Sequence, residues 1–257
     1  MERPFMDFSR PRSGNANNLL TSIRSNVRKH PDTAALVCND LRRTWKEVWE
    51  RTNQLGNSLL ELGLNRGDRV AMVMKNGVEF SETFIATAKA GLIKVPMNYN
   101  LKEVELAYQL NDCEASALFV HPEFLNRVRR AAKEVPTLRT IIVVGEGAPG
   151  NMVSYEALVA KGSQADMEME ISPNDIEILL YTSGTTGRPK GVIRGFAENY
   201  HVGMSYCVEA GISSESVLLT VPPQYHVGPC GTFWATLVGG GTQVILEKRN
   251  RHQGGVP

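Results

Sequence analysis

The sequence predicts an α/β fold made of two doubly wound βα subdomains. Short apolar stretches alternate with amphipathic stretches of helical periodicity along most of the 257 residues, and this alternation is typical of parallel βαβ units. Hydrophobic residues make up 42% of the chain, which is enough for a sizeable core. A polar, acidic stretch at 162–174 interrupts the pattern. We therefore expect a first subdomain over residues 1–170 and the start of a second over residues 171–257.

The N-terminal part is expected to contain two helices separated by a short hairpin. Apolar residues at helical spacing predict a helix over Asn15–Lys29. An apolar strand over Ala34–Cys38 and the segment after it predict the hairpin. Thr44, with Glu47 three residues later, forms a capping box that begins the second helix, and Gly63 ends it.

The two subdomains continue the βα alternation. In the first, strands are predicted over Arg69–Met74, Leu92–Met97, Ala117–Val120 and Thr140–Val144. The helices are predicted over Gly77–Gly91, Lys102–Leu110, Glu123–Glu134 and Tyr155–Lys161. In the second, strands are predicted over Ile176–Tyr181, Ser216–Val221 and Thr242–Leu246, and helices over Phe196–Ala210 and Thr232–Val238.

Charge and cysteine content narrow the class of protein. The net charge of +1 does not indicate a nucleic-acid partner. The four cysteines are far apart and form no CxxC pair, so neither a disulfide framework nor a zinc site is expected. Neither a signal peptide nor a bilayer-spanning segment is apparent. These features favour a cytoplasmic protein and leave peripheral membrane contact and the oligomeric state open.

A loop rich in glycine and hydroxyl groups follows the predicted strand Ile176–Tyr181. Glycines allow close approach of the backbone to a ligand, free N–H groups form an anion-binding concavity, and hydroxyls and a lysine add donors and charge. The loop therefore predicts a phosphate site. Its candidate residues are Thr182, Ser183, Gly184, Thr185, Thr186, Gly187 and Lys190.

The loop does not match the common P-loop, GxxxxGK followed by Ser or Thr. Counted from Gly184, the second glycine would fall at Pro189, and Lys190 is followed by Gly191 rather than by a hydroxyl residue. A polar turn without a ligand is the structural alternative.

The whole run from Tyr181 to Gly191 resembles the signature of the adenylate-forming superfamily, which includes acyl-CoA synthetases, luciferases and the adenylation domains of peptide synthetases. Weaker landmarks at 67–71 and 90–98 extend the resemblance over nearly the whole chain. It implies the large N-terminal domain of these enzymes and ATP-dependent activation of a carboxylic acid. ATP and Mg²⁺ are the implied cofactors, together with coenzyme A as the acceptor of the acyl group. The loop would hold the β- and γ-phosphates, with Lys190 as a catalytic residue and Thr186 at the metal.

A second motif covers Pro222–Gly228, directly after a predicted strand, where ligands bind in open α/β sheets. From the residues alone, His226 fits a loop histidine satisfied by the backbone. The segment resembles a Pro-x-x-His-x-x-Gly segment of acyl-CoA synthetases, which implies that His226 contacts the substrate carboxylate or the acyl-phosphate and that Gly228 leaves room for the acyl group. Peptide-synthetase domains have an aspartate where this chain has Val227. This difference favours a fatty or other hydrophobic acid over an amino acid.

Other motifs of the superfamily were not found. These are the aromatic-Gly-x-Thr-Glu loop, the Thr-Gly-Asp segment with its following aspartate, and the lysine of the small C-terminal domain. We therefore expect a truncated domain, without the C-terminal domain and with little or no ligase activity by itself. The alternative function is a catalytically incomplete module that binds a nucleotide or an acyl group, or acts by interaction.

Overall fold

The computed structural model describes residues 19–145, 148–167, 169–182 and 188–247. The helices within these ranges are α1 (Leu19–Lys29), α2 (Trp45–Glu61), α3 (Val78–Lys89), α4 (Glu103–Asp112), α5 (Leu125–Ala132), α6 (Tyr155–Lys161), α7 (Phe196–Ala210) and α8 (Val227–Gly239). The strands are β1 (Ala34–Cys38), β2 (Leu41–Thr44), β3 (Arg69–Val73), β4 (Ile93–Pro96), β5 (Ala115–Val120), β6 (Thr140–Val143), β7 (Val153–Ser154), β8 (Ile176–Thr182), β9 (Lys190–Gly195), β10 (Val217–Thr220) and β11 (Thr242–Ile245).

The larger sheet has seven strands in the order β7-β6-β5-β3-β4-β8-β9. From β3 the chain moves to β4 on one side, returns to β5, β6 and β7 on the other, and then adds β8 beside β4. The pairs are parallel except that β9 runs antiparallel to β8. The change of side after β4 is the doubly wound arrangement that the alternating sequence pattern predicts.

The smaller sheet has the order β10-β11-β1-β2. The predicted hairpin is present, since β1 and β2 are antiparallel, while β1 pairs in parallel with β11. Each sheet thus contains strands from both sides of residue 170, and the division of the chain at that residue stays a prediction.

Helix α3 lies between the two sheets, where it contacts β4 of the larger sheet and β1 of the smaller one. Eleven of its twelve residues are buried, as expected for a helix that is covered on all sides. Phe84 of α3 meets Phe233 of α8 edge-on, with ring centroids 5.5 Å apart. The core is therefore continuous between the sheets.

Helices α7 and α8 pack closely because Gly203 has no side chain. A Cβ atom at Gly203 would lie 2.8 Å from the carbonyl oxygen of Trp234. Trp45 of α2 donates from Nε1 to the carbonyl of Gly240, just after α8. These contacts fix α8, whose first residue follows His226.

Four elements differ from the sequence-based predictions, and one of them is the two-residue strand β7 (Val153–Ser154), which was not expected. Strand β9, at Lys190–Gly195, was not expected because Gly191 and Gly195 interrupt its apolar pattern. Helix α8 begins at Val227 rather than Thr232. Gly228 and Pro229 both disfavour a helix by propensity. Pro229 is nevertheless tolerated, because the N–H groups of the first helical turn have no partner within the helix. The helix predicted over Glu123–Glu134 is shorter and follows a 3-10 turn at Pro122–Phe124.

The capping box at Thr44 and Glu47 is confirmed, with both of its hydrogen bonds present. The first four residues of the helix predicted from Asn15 lie outside the described residues. In the described part of the chain, the helices are all too short or too polar to cross a membrane.

Candidate functional site

The phosphate-loop motif covers the end of β8, the start of β9 and the residues between them in sequence. Thr182 and Lys190 are partners in the antiparallel register, and Thr182 Oγ1 lies 3.4 Å from the carbonyl oxygen of Lys190. The five loop residues between the two arms lie outside the described residues: Ser183, Gly184, Thr185, Thr186 and Gly187. The structure therefore defines the two strands that flank the loop in sequence.

Strand β9 presents alternate side chains to a large cavity. Val192 and Arg194 line it, and Lys190 falls on the same face of β9 because side chains alternate along a strand. The Lys190 side chain is exposed and is not among the residues that line the cavity. The guanidinium of Arg194 lies 4.9 Å from the ring centroid of Trp234, which positions it against α8.

The cavity has a volume of about 950 Å³ and joins the two sequence motifs. Thr182 from the end of β8 and His226 from the start of α8 both line it, together with Pro96 at the end of β4 and Tyr108 of α4. It therefore lies at the carboxyl ends of parallel strands beside the point where the chain reverses direction, which is where doubly wound sheets bind ligands.

The imidazole of His226 is available to a ligand. Its residue caps the N-terminus of α8, and its backbone N–H donates to the carbonyl of Pro223 at 3.0 Å. The side chain is exposed, and within the described ranges it forms no hydrogen bond. Its ring centroid lies 4.4 Å from that of Tyr225. The arrangement disfavours a histidine whose side chain is satisfied by the backbone.

The turn that carries His226 is tied to the start of α3. Gln224 donates from its backbone N–H to Asn76 Oδ1 at 2.7 Å, and its Oε1 accepts from the N–H of Gly77 at 2.8 Å. Gln224 Nε2 donates to Ser81 Oγ at 2.9 Å. Because Gln224 is buried, these bonds fix the backbone two residues before His226.

An ion pair lies between β4 and β8. Lys94 Nζ is 2.6 Å from Glu177 Oε1, and Asn199 Nδ2 donates to Glu177 Oε2 at 2.8 Å. Burial lowers the pKa of Lys94, while Glu177 opposes that shift. Burial likewise raises the pKa of the Cys230 thiol to about 12. Neither Lys94 nor Cys230 lines the cavity. The Lys94–Glu177 pair instead joins the two strands whose ends do.

Two further predicted site residues are Gly228 and Thr186, of which only Gly228 lies within the described residues. Gly228 is exposed in the first turn of α8, and a Cβ there would meet no atom within 4 Å. The described ranges contain no cluster of three or more His, Cys, Asp or Glu side chains suited to a metal, and Thr186 lies outside them.

Sequence analysis missed several residues that shape the site. Asn76 and Gln224 hold the histidine turn, and Tyr108, Tyr181 and Arg188 line the cavity. Tyr181, Arg188 and Gln224 lie within the two motifs but were given no role, because the roles of all five residues depend on contacts between segments that are distant in sequence.

The family model of AMP-binding enzymes, described as "AMP-binding enzyme", matches residues 23–255. The chain belongs to this family. A medium/long-chain-fatty-acid–CoA/3-oxocholest-4-en-26-oate–CoA ligase of Mycobacterium marinum is 28% identical over 247 residues, covering 87% of this AMP-binding chain and 45% of the ligase. The 4-hydroxybutyrate–CoA ligase 2 of Metallosphaera sedula is 28% identical over 84% of the chain and 41% of its own length.

Solved structures agree with this assignment. The crystal structure of an anthranilate CoA ligase in complex with anthranoyl-AMP superposes with a TM-score of 0.87 and 27% identity over 92% of the AMP-binding chain and 46% of the ligase. The α/β fold is thus that of the N-terminal domain of adenylate-forming enzymes. The chain spans about half the length of the curated relatives it matches.

Proposed function

We propose that the protein takes part in ATP-dependent activation of a carboxylic acid. The acid would displace pyrophosphate from ATP to give an acyl-adenylate, and the thiol of coenzyme A would then displace AMP to give a thioester. The observation that carries this proposal is the shared cavity: Thr182 of the phosphate-loop hairpin and His226 of the second motif line the same space of about 950 Å³.

The phosphate end of the cavity is assigned to the hairpin. Thr182 and Lys190 flank the loop, and the exposed Lys190 ammonium supplies a point charge for the β- and γ-phosphates. The loop residues proposed to bind phosphate with them are Ser183, Gly184, Thr185, Thr186 and Gly187. Mg²⁺, held by phosphate oxygens and Thr186, would supply additional positive charge to the phosphates.

The acid end is assigned to the N-terminus of α8. The free imidazole of His226 is proposed to bind the substrate carboxylate, and the helix N-terminus favours an anion at the same place. Gly228 leaves space for the acyl group beside it. Several apolar side chains support a fatty or other hydrophobic acid; the lining includes Leu101, Val104, Leu180, Val192 and Val227.

The four cysteines are free, and three of them are buried. Free thiols suit a reducing compartment, and we place the proposed activity in the cytoplasm.

A binding experiment on the 257-residue chain tests the proposal. MgATP, AMP, a hydrophobic acid and a non-hydrolysable acyl-adenylate analogue are titrated separately by calorimetry. The analogue joins an adenylate to the acyl group, so we expect it to bind more tightly than AMP or the acid alone. Equal affinity for the analogue and for AMP would mean that the acid end does not bind the acyl group, and the nucleotide-binding module would then be the better description.

Acid-dependent release of pyrophosphate separates the enzyme from the module. We expect a version that carries the downstream motifs of the superfamily to release pyrophosphate only when the acid is present. The 257-residue chain alone is expected to release little, because the ribose, metal and lysine motifs of its relatives each contribute strongly to the rate.

A further inference from the structure

The β8–β9 hairpin is supported by the sheet on one side only. Strand β9 is the last strand of the seven-stranded sheet, and its residues Val192 and Ile193 are 44% and 37% exposed. An edge strand has no second neighbour to fix its position. The β8–β9 ladder sets the spacing of the two arms as far as Thr182 and Lys190, so contacts from outside the sheet would fix the position of the hairpin as a whole.

Helix α4 supplies this support to the arm that leaves the loop. Tyr108 Oη donates to the carbonyl oxygen of Pro189 at 3.2 Å. The guanidinium of Arg188 lies 5.5 Å from the centroid of the Tyr108 ring, which is within the range of a cation–π contact. A single side chain of α4 thus contacts both residues that precede Lys190.

The same helix holds the arm that enters the loop. Tyr181 Oη donates to Asp112 Oδ2 at 2.7 Å and lies 3.3 Å from the carbonyl oxygen of Gln109. Burial is the main cause that raises the pKa of Tyr181, and its hydrogen bond to Asp112 acts in the same direction. The phenol therefore stays protonated and remains a donor. Tyr108 and Asp112 are four residues apart, so they share one face of α4.

We propose that α4 clamps both arms of the phosphate-loop hairpin, with Tyr108 and Asp112 as positioning residues for the loop. The two contacts, one on each arm, hold Tyr181 and Pro189 against α4 from outside the sheet. Because the residues that flank the loop are held in place, ordering the loop on a polyphosphate costs less. This role rests on the proposed function, since it assumes that the loop binds ATP.

Hydrogen–deuterium exchange measured by mass spectrometry on the 257-residue chain tests the clamp directly. Tyr108→Phe removes the bond to Pro189 and keeps the ring under Arg188, and Tyr181→Phe removes the bond to Asp112. We expect each to speed exchange in peptides covering residues 182–195 by about threefold to tenfold, the range expected for one lost hydrogen bond. Tyr206→Phe is the matched control, because Tyr206 is 42% exposed on α7.

A second readout separates positioning from general stability. Tyr108→Phe should weaken the binding of MgATP while the thermal midpoint stays within about 2 °C of the parent protein, and Tyr206→Phe should change neither. If Tyr181→Phe does not fold, Asp112→Ala takes its place, since it removes the acceptor of the same hydrogen bond. Parent-like exchange of the hairpin in Tyr108→Phe and in the second variant would overturn the clamp. Faster exchange in a chain that binds no MgATP would retain the clamp and reject the proposed function.

Discussion

Lys94 Nζ lies 2.6 Å from Glu177 Oε1, and the two side chains are 0% and 2% exposed. The pair connects β4 to β8 at the position where Lys94 and Ile178 are in register. It therefore joins the strand that ends in the phosphate-loop hairpin to the centre of the larger sheet.

Removal of Lys94 should destabilise the protein strongly. Lys94→Ala leaves a buried carboxylate without its counter-ion, so we expect a loss of about 3–5 kcal/mol in the free energy of unfolding, measured by urea denaturation. Lys46→Ala is the control, because its pair with Glu50 is largely exposed and should contribute about 0–1 kcal/mol. Equal costs for the two substitutions would contradict the importance of the buried pair.

Lys190→Ala should weaken the binding of MgATP by about tenfold to a hundredfold, the range for a hydrogen bond to a charged group. The thermal midpoint should not change, because the Lys190 side chain is exposed. Calorimetric titration with MgATP measures the first quantity and a melting curve the second. Lys161→Ala, an exposed lysine on α6, is the matched control. Loss of soluble protein in Lys190→Ala alone would indicate a structural lysine.

His226→Ala should reduce binding of the acyl-adenylate analogue more than binding of MgATP. The imidazole is free of hydrogen bonds within the described residues, so its removal leaves the turn anchored by Gln224. Calorimetric titration of each ligand against the parent and the variant gives, for each ligand, the ratio of the two dissociation constants. Equal loss for both ligands would argue against a role of His226 at the acid end.

Gly203→Ala should destabilise the protein by about 1–3 kcal/mol through overpacking. A Cβ at this position would lie 2.8 Å from the carbonyl oxygen of Trp234, so α7 and α8 would have to separate. Gly228→Ala is the matched control, because a Cβ there meets no atom within 4 Å, and its unfolding free energy should stay the same or rise. A neutral Gly203→Ala would show that the two helices can shift without cost.

Alkaline pH should destabilise the protein partly through Cys230. Burial raises the pKa of its thiol from 9.0 to about 12, so the unfolded chain loses the proton first. The stabilising contribution is complete below pH 9 and is lost as the pH rises towards 12, at up to about 1.4 kcal/mol per pH unit. Urea unfolding at pH 8.5 and 10.5 should therefore show a smaller decrease for Cys230→Ala than for the parent. An identical decrease would contradict this assignment.

Much of the fold could be predicted from the sequence because its signals are local. The capping box at Thr44, the hairpin after β1 and the alternation of β3 to β6 with their helices depend on neighbours within a few residues. The start of α8 and the strand β9 could not be predicted. Their glycines weaken the local pattern, and tertiary contacts decide the structure instead.

The candidate site shows the same contrast. The phosphate-loop and histidine motifs were found from residue order and from the resemblance to a known superfamily. Their common cavity depends on the strand order, which places β8 beside β4. Asn76 and Gln224 hold the histidine turn through a hydrogen bond between residues that are 148 positions apart in sequence. A single sequence does not indicate such a contact. The roles of the site residues themselves stay predictions.

The pairing of β1 with β11 sets Leu36 opposite Gln243, near opposite ends of the described chain. A ribosome that adds about 5–20 residues per second needs roughly 10–40 s to deliver the second strand after the first. During that interval β3, β4 and β5 can already associate, while the β1–β2 hairpin lacks its partner strand β11 and its apolar residues stay exposed to solvent. The nascent hairpin is therefore the segment most in need of a chaperone, and codon changes that slow translation near β11 should increase aggregation without altering the finished protein.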